Sequence, residues 1–137
     1  MIRVVIDTNI LVSAMISSAG NEALLILAIN HGLVIPCFSA DMLREYSDVL
    51  LRPKFGFVQD EVESLLDLFR QLGTPVETIP MSRHSPDPGD DKFIACAITG
   101  KAAFLVTGNK RHFPQSQLPD CKVVSAGELM SFLTVDW

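Results

Sequence analysis

Four acidic side chains stand in surroundings that differ from those of ordinary surface acids. Asp7 closes the β-branched run at residues 4–6, Glu45 lies beside the apolar stripe of a predicted helix, and Asp90 and Asp91 precede another apolar run. Carboxylates brought together repel one another unless a cation lies among them. Hard oxygen ligands, with no His or Cys at ligand spacing, select Mg²⁺ or Mn²⁺ rather than zinc. We therefore predict that Asp7, Glu45, Asp90 and Asp91 converge and together hold a divalent metal.

A carboxylate site of this kind suits the hydrolysis of phosphodiester bonds. One metal ion generates hydroxide from water, and a second stabilises the leaving oxygen. Asn9 follows Asp7 closely, and Thr107 and Asn109 follow a second predicted strand. Because ligand sites of open α/β sheets lie beyond the carboxyl ends of the strands, we expect these polar residues to face the same crevice as Asp7.

Each acidic residue also has a simpler explanation when it is taken alone. Asp7 is placed to cap the next helix, and Glu45 is within reach of Arg44 and Arg52 along the same helix. A helix N-terminus favours one carboxylate, which accounts for one member of the Asp90–Asp91 pair but not for both. Asp7 follows a predicted strand, the Asp90–Asp91 pair starts a helix and Glu45 borders the buried face of another helix, and this joint placement favours the metal site.

Strand and helix patterns alternate along the chain and position these residues. Predicted strands cover residues 3–6, 33–36, 76–79, 103–106 and 123–124. Predicted helices cover residues 10–16, Asn21–Asn30, 39–51 with Ser39 as the N-cap, 60–72, 91–100, and a last segment after the capping box Ser125-x-x-Glu128. This alternation predicts a three-layer α/β/α sandwich around a central, mainly parallel sheet.

Composition narrows the class of protein. The chain has 137 residues, of which 48% are hydrophobic, and shows neither a repeat nor a linker, so we expect a single domain over residues 1–137. The net charge of −5 argues against a broad basic nucleic-acid surface. It does not argue against a nucleic-acid enzyme, because a bound metal neutralises carboxylates. The apolar runs are short, no secretory signal is visible and the three cysteines are widely spaced; we expect a cytoplasmic protein without a membrane segment.

In its ordered set of motifs the chain resembles the PIN-domain family of nucleases. The matching segments are residues 5–9 around Asp7, residues 39–55 around Glu45, residues 90–97, and residues 105–109. The likeness is greatest to the toxin-like branch that includes the VapC toxins. It implies a Rossmann-like fold and a Mg²⁺- or Mn²⁺-dependent ribonuclease that cleaves RNA. It also implies a homodimer and a small antitoxin protein as partner.

The chain departs from the family pattern at the fourth acidic position. Asp7 and Glu45 match the first two acids and Asp91 matches the third, but the fourth falls on Asn109, where many relatives carry Asp. In others an Asp comes three residues later, where this chain has His112. We therefore expect one metal ion as a reasonable alternative to two. Lys110 and Arg111 beside this position are candidates for contacts with substrate phosphates.

Two other classes of protein stay open from the sequence. A phosphotransfer enzyme would use Asp7 as its acceptor, although Asn9 stands where a dehalogenase-type hydrolase needs a second Asp. A non-catalytic binding module with the same fold is compatible with the missing fourth acid. Within the nuclease class, structured DNA is an alternative substrate.

Overall fold

Five parallel strands form the central sheet of this computed structural model, which describes residues 2–78 and 88–135. The strands are β1 (Ile2–Ile6), β2 (Val34–Phe38), β3 (Thr74–Pro75), β4 (Phe104–Val106) and β5 (Lys122–Val124). Their order across the sheet is β3-β2-β1-β4-β5, with all neighbours parallel. The order therefore reverses between β1 and β4, and this switch point is where parallel sheets open a crevice for ligands.

Six α-helices lie within the described part of the chain and cover the two faces of the sheet. They are α1 (Thr8–Ile16), α2 (Asn21–Asn30), α3 (Ala40–Leu50), α4 (Gln59–Leu72), α5 (Asp91–Thr99) and α6 (Ala126–Val135). Helix α2 contacts α1, α4 and α6, whereas α5 packs on β1, β2 and β4. The result is the predicted three-layer α/β/α sandwich, with a sheet that is wholly parallel over the described residues.

Local sequence signals explain where several helices begin and end. Ser39 Oγ accepts a hydrogen bond from the Met42 backbone N–H at 3.3 Å and so caps α3 as predicted. The capping box before α6 is also formed: Ser125 Oγ accepts from the Glu128 N–H at 3.0 Å, and Glu128 Oε1 accepts from the Ser125 N–H at 2.9 Å. Gly32 has a φ of +75°, the left-handed conformation expected of a glycine that follows a helix.

The predicted third strand is misplaced. Strand β3 occupies Thr74–Pro75, and residues 76–78 are not strand; residue 79 lies outside the described residues. The Val76 N–H donates one last bond to the Phe38 carbonyl at 2.8 Å. Pairing then stops because β2 ends at Phe38, where Ser39 starts α3, so residues 77 and 78 have no neighbouring strand.

The core that supports the switch point is aliphatic and aromatic. Val4, Val5 and Ile6 of β1 are completely buried, as expected of a strand covered by helices on both faces. Among the described residues no single helix is long and apolar enough to cross a membrane. Helices α1 and α2 meet such a test only when taken together, and they are bent by 102° at their junction.

Candidate active site

Asp7 lies at the centre of the sheet's carboxyl edge, directly after β1. Its backbone N–H donates to the Val106 carbonyl at 2.9 Å, and Oδ2 accepts a hydrogen bond from Thr107 Oγ1 at 2.8 Å. Asp7 occupies the N-cap position of α1 without a side-chain capping bond, although the Thr8 backbone N–H at the start of the helix bonds its carboxyl. Only 5% of Asp7 is exposed. Burial raises the pKa of Asp7, while the hydrogen bonds from Thr107 and the Thr8 backbone N–H oppose this effect.

Glu45 is held beside Asp7 by contacts from two other elements. Thr8 Oγ1 donates to Glu45 Oε2, and Lys92 Nζ donates to Oε1 at 2.7 Å. The Glu45 charge is close enough to contribute to the raised pKa of Asp7. On the next position of α3, the Tyr46 hydroxyl donates to the Ile6 carbonyl at 2.5 Å and ties the helix to the end of β1. Arg44 instead pairs with Asp41, so the simpler explanation of Glu45 through Arg44 is not what the structure shows.

The acidic doublet stands at the start of α5. Asp90 occupies the N-cap position and Asp91 is the first helical residue; both are half-buried. His112 Nδ1 lies 2.8 Å from Asp90 Oδ2. His112 also acts on Asp7, where its charge is one of the influences that lower the pKa. The first turn of α5 and the loop after β4 therefore meet at the same crevice as Asp7 and Glu45.

The polar residues after β4 divide into two groups. Thr107 is buried, donates to Asp7 and accepts from the Asn109 backbone N–H at 2.9 Å, so it belongs to the site. Lys110 Nζ instead forms an ion pair with Glu128 Oε1 at 2.5 Å, and the Lys110 hydrogen bond lowers the pKa of Glu128 to about 2. Arg111 is exposed on the short 3₁₀ helix Lys110–His112, and Asn9 is exposed on the first turn of α1. Of the predicted substrate contacts, Lys110 is thus committed to an intramolecular partner.

The donor set has the chemistry of a site for a hard divalent cation, but its geometry is incomplete. Within the described residues, buried Asp7 receives hydrogen bonds from neutral donors, and its neighbour Glu45 contributes a second carboxylate. Across residues 2–78 and 88–135, however, no three His, Cys, Asp or Glu side chains form a group that could hold a metal ion as they stand. The residues that would have to complete it are Asp90 and Asp91 in the first turn of α5.

Three further residues belong to the site although the sequence did not single them out as site residues. Thr8 bonds Glu45, Lys92 pairs with Glu45, and His112 lies against Asp90. Thr8 and Lys92 directly follow acidic residues, and this adjacency was the available signal. His112 has no metal-ligand spacing in the sequence, and its contact with α5 depends on a loop path that no local pattern reveals.

Comparison with known protein families agrees with this arrangement. The family described as the PIN domain matches residues 3–111, which is most of the chain and includes Asp7, Glu45, Asp91 and Asn109. A comparison with curated protein sequences gives no match. The family match covers most of the chain, and the parallel sheet with its acidic switch point agrees with it. The chain therefore belongs to the PIN-domain family.

Proposed function

We propose that this protein is a metal-dependent endoribonuclease that uses Mg²⁺ or Mn²⁺ to hydrolyse RNA phosphodiester bonds. PIN domains are generally nucleases and typically bind divalent metals. The observation that carries the proposal is the juxtaposition of Asp7 and Glu45, which come from different elements and are bridged by Thr8 at the switch point of the sheet. Neighbouring carboxylates favour a cationic partner. Lys92 supplies one positive charge to Glu45, and a divalent cation would balance buried Asp7 as well.

The proposed roles follow from the contacts of each side chain. Asp7, Glu45 and Asp91 would hold the metal, with Asp90 next to them. When bound, a divalent ion supplies Lewis-acid activation of water and stabilises charge on the leaving oxygen. Thr107 and the Thr8 backbone N–H orient the Asp7 carboxylate, and the Asp90–His112 pair fixes the loop after β4 against α5.

Substrate contacts are assigned to polar side chains around the crevice. Arg111 and Asn9 are exposed, so each is available to the RNA backbone. Asn109 stands at the fourth acidic position of the family pattern, and its amide oxygen is a neutral ligand in place of a carboxylate. This difference favours a single metal ion.

A cleavage assay tests the enzymatic proposal directly. Labelled single-stranded RNA, structured RNA and DNA are incubated with the protein in Mg²⁺, in Mn²⁺ and in EDTA. We expect metal-dependent cleavage of RNA that is lost in Asp7→Asn and retained in Asp48→Asn, which makes the same chemical change at an exposed acid of α3. Cleavage that survives in Asp7→Asn or in EDTA would contradict the proposal.

We further propose a toxin role of the VapC type, with a small antitoxin protein and a second copy of the chain as partners. The support is the sequence resemblance, together with apolar side chains that remain exposed: Ile16 is 67% exposed on α1, and Leu27 is 52% exposed on α2. Side chains of this kind suit a protein partner. Overexpression should slow growth, and co-expression of a small neighbouring gene product should relieve it. Light scattering of the purified protein tests the dimer.

A non-catalytic binding module is the second candidate. The observation in its favour is that a lysine, Lys92, already neutralises Glu45. Such a module would bind labelled RNA without cleaving it, and its affinity would not change between Mn²⁺ and EDTA. The cleavage assay described above therefore separates the two candidates.

A further inference from the structure

The Lys92 side chain places a positive charge inside the acidic crevice. Its Nζ lies 2.7 Å from Glu45 Oε1, and both side chains are 25% exposed. The ammonium also lies 5.9 Å from the centre of the Phe93 ring, which is completely buried. Lys92 is therefore partly withdrawn from water, in a pair that links the first turn of α5 to α3.

Both oxygens of Glu45 already have a partner. Thr8 Oγ1 donates to Oε2, while the Lys92 ammonium donates to Oε1. Each oxygen keeps a second lone pair, but a divalent cation bound to this carboxylate would stand close to the ammonium and be repelled by it. The Glu45 carboxylate therefore cannot bind the Lys92 ammonium and a metal ion equally well at the same time.

We propose that Lys92 is an internal counter-ion of Glu45 that competes with the divalent cation, so that metal binding requires the Lys92–Glu45 ion pair to open. The proposal rests on the metal dependence proposed above and adds a positioning role for a residue outside the predicted ligand set. In the metal-free protein the ion pair balances the charge of Glu45 beside buried Asp7. In the metal-bound protein the ammonium leaves Oε1.

This competition accounts for the incomplete metal site. Within the described residues no group of three potential ligands is assembled, and Glu45 has an ammonium on one of its oxygens. Opening the ion pair releases Glu45 Oε1 toward Asp7 and the first turn of α5. Lys92 thus makes the metal-free site more stable and the metal-bound site harder to form.

Mn²⁺ binding, measured by the loss of the free-ion signal in electron paramagnetic resonance, tests the competition without relying on activity. Lys92→Met keeps most of the apolar stem and removes the charge, so we expect it to bind Mn²⁺ about five- to tenfold more tightly than the wild type. Its Tm in EDTA should fall, since Glu45 loses its counter-ion. Lys92→Gln, whose amide still donates to Glu45, is the second variant in case Lys92→Met does not fold.

Two controls separate a local effect from a change in net charge. Lys122→Met removes the same charge from the exposed first residue of β5, and Lys92→Arg retains a positive charge at the site. Both should bind Mn²⁺ within about twofold of the wild type, well inside the range of a coupling between sites. Equal Mn²⁺ affinities of the wild type, Lys92→Met and Lys92→Gln would overturn the competition alone. Absence of Mn²⁺ binding by the wild type would overturn the proposed metal dependence and the competition together.

Discussion

Burial of the Asp7 carboxyl places an acid where the folded chain disfavours its charge. The group is 5% exposed and lies near a second carboxylate, Glu45, and its pKa is raised mainly by burial. A metal ion would relieve this unfavourable charge, whereas the metal-free protein must tolerate it. Activity and metal-free stability should therefore respond to a change at Asp7 in opposite directions.

Asp7→Asn tests this opposition. The amide keeps the shape of the side chain and still accepts a bond from Thr107, but it removes the buried charge. We expect metal-dependent cleavage to be abolished and the Tm in EDTA to rise by about 3 °C, the shift produced by somewhat under 1 kcal/mol in a domain of this size. Differential scanning fluorimetry and the RNA assay measure the two effects. A variant that loses both activity and stability would show that Asp7 is a structural residue.

The pH dependence of stability provides an independent test of the same group. Because the pKa of Asp7 is raised in the folded protein above its usual 3.8, the unfolded chain loses this proton first as the pH rises. Unfolding then releases a proton, so the free energy of unfolding contributed by Asp7 falls with rising pH through the window from 3.8 up to the folded pKa. The Tm difference in EDTA between Asp7→Asn and the wild type should therefore be larger at about pH 7.5 than at about pH 4.5. A difference that shrinks with rising pH would contradict this assignment.

Thr107 is the hydroxyl that holds the Asp7 carboxylate in place. It is 1% exposed, donates to Oδ2 and accepts from the Asn109 N–H. Thr107→Val removes both bonds without changing the shape and should cost about 1–3 kcal/mol of unfolding free energy, because the buried Asp7 carboxyl and the half-buried Asn109 N–H each lose a partner. It should also reduce the rate of cleavage. Thr107→Ser retains the hydroxyl and is the control. Urea unfolding measures the loss of unfolding free energy in each variant, and comparable losses in both would count against the role of the hydrogen bonds.

Single acidic residues could be predicted from local patterns, but their partners could not. Asp7 and Glu45 were recognisable because each carboxylate interrupts or borders an apolar pattern, and such placements are costly without a partner. That the partner of Glu45 is Lys92 depends on how α3 and α5 pack. Lys110 adjoins the site in sequence, yet it pairs with Glu128 on α6, a contact that only the folded chain creates.

Helix α3 is the element that delivers Glu45 to the end of β1. The neighbouring residue Tyr46 is completely buried, packs edge-on against Phe69 with a centroid distance of 5.4 Å, and donates to the Ile6 carbonyl. This bond lies one residue before Asp7 along β1. The Tyr46 bond therefore helps to set the separation between the two carboxylates, together with the bond from Thr8 to Glu45.

Tyr46→Phe removes this link while it preserves the aromatic packing. We expect a loss of about 1 kcal/mol of unfolding free energy, the usual net worth of one hydrogen bond. Cleavage should fall through kcat rather than KM, since the change displaces Glu45 and removes no substrate contact. Ser39→Ala, which weakens the cap of α3 and leaves Tyr46 in place, is the matched control at a similar cost in stability. An equal effect of both variants on kcat would mean that stability, not the position of Glu45, limits the rate.

Signals within an element were sufficient for most helices and insufficient for the sheet edge. The caps at Ser39 and Ser125 are hydrogen bonds between a side chain and the nearby backbone, so local sequence predicts them. Helix α2 likewise lies at Asn21–Asn30, where it was predicted. The prediction of strand β3 was wrong because the position and length of this strand depend on where β2 ends, and β2 lies in another part of the chain. The alternation of strands and helices was enough to predict the layers, whereas the strand order β3-β2-β1-β4-β5 required the structure.

For the whole molecule, the acidic crevice contributes to a net charge of −5, so the proposed RNA substrate and the protein repel each other at long range. A bound divalent cation reduces that repulsion at the place where a phosphate must approach. Metal binding would then be linked to folding, because the proposed ligands come from the end of β1, from α3 and from α5, which are brought together only in the native state.

Stabilisation of the wild type by Mn²⁺ is the prediction that follows from this linkage. At a free concentration of one hundred times Kd, a ligand that binds only the native state adds about 2.7 kcal/mol, or roughly 10 °C in Tm for a domain of this length. Asp7→Asn should lose most of this increase although its Tm in EDTA is higher, so the melting curves of the two proteins should converge or cross as Mn²⁺ is titrated. Asp48→Asn should follow the wild type. If Mn²⁺ stabilised Asp7→Asn and the wild type equally, the ion would be binding elsewhere on the acidic surface and the proposed role of Asp7 as a ligand would be wrong.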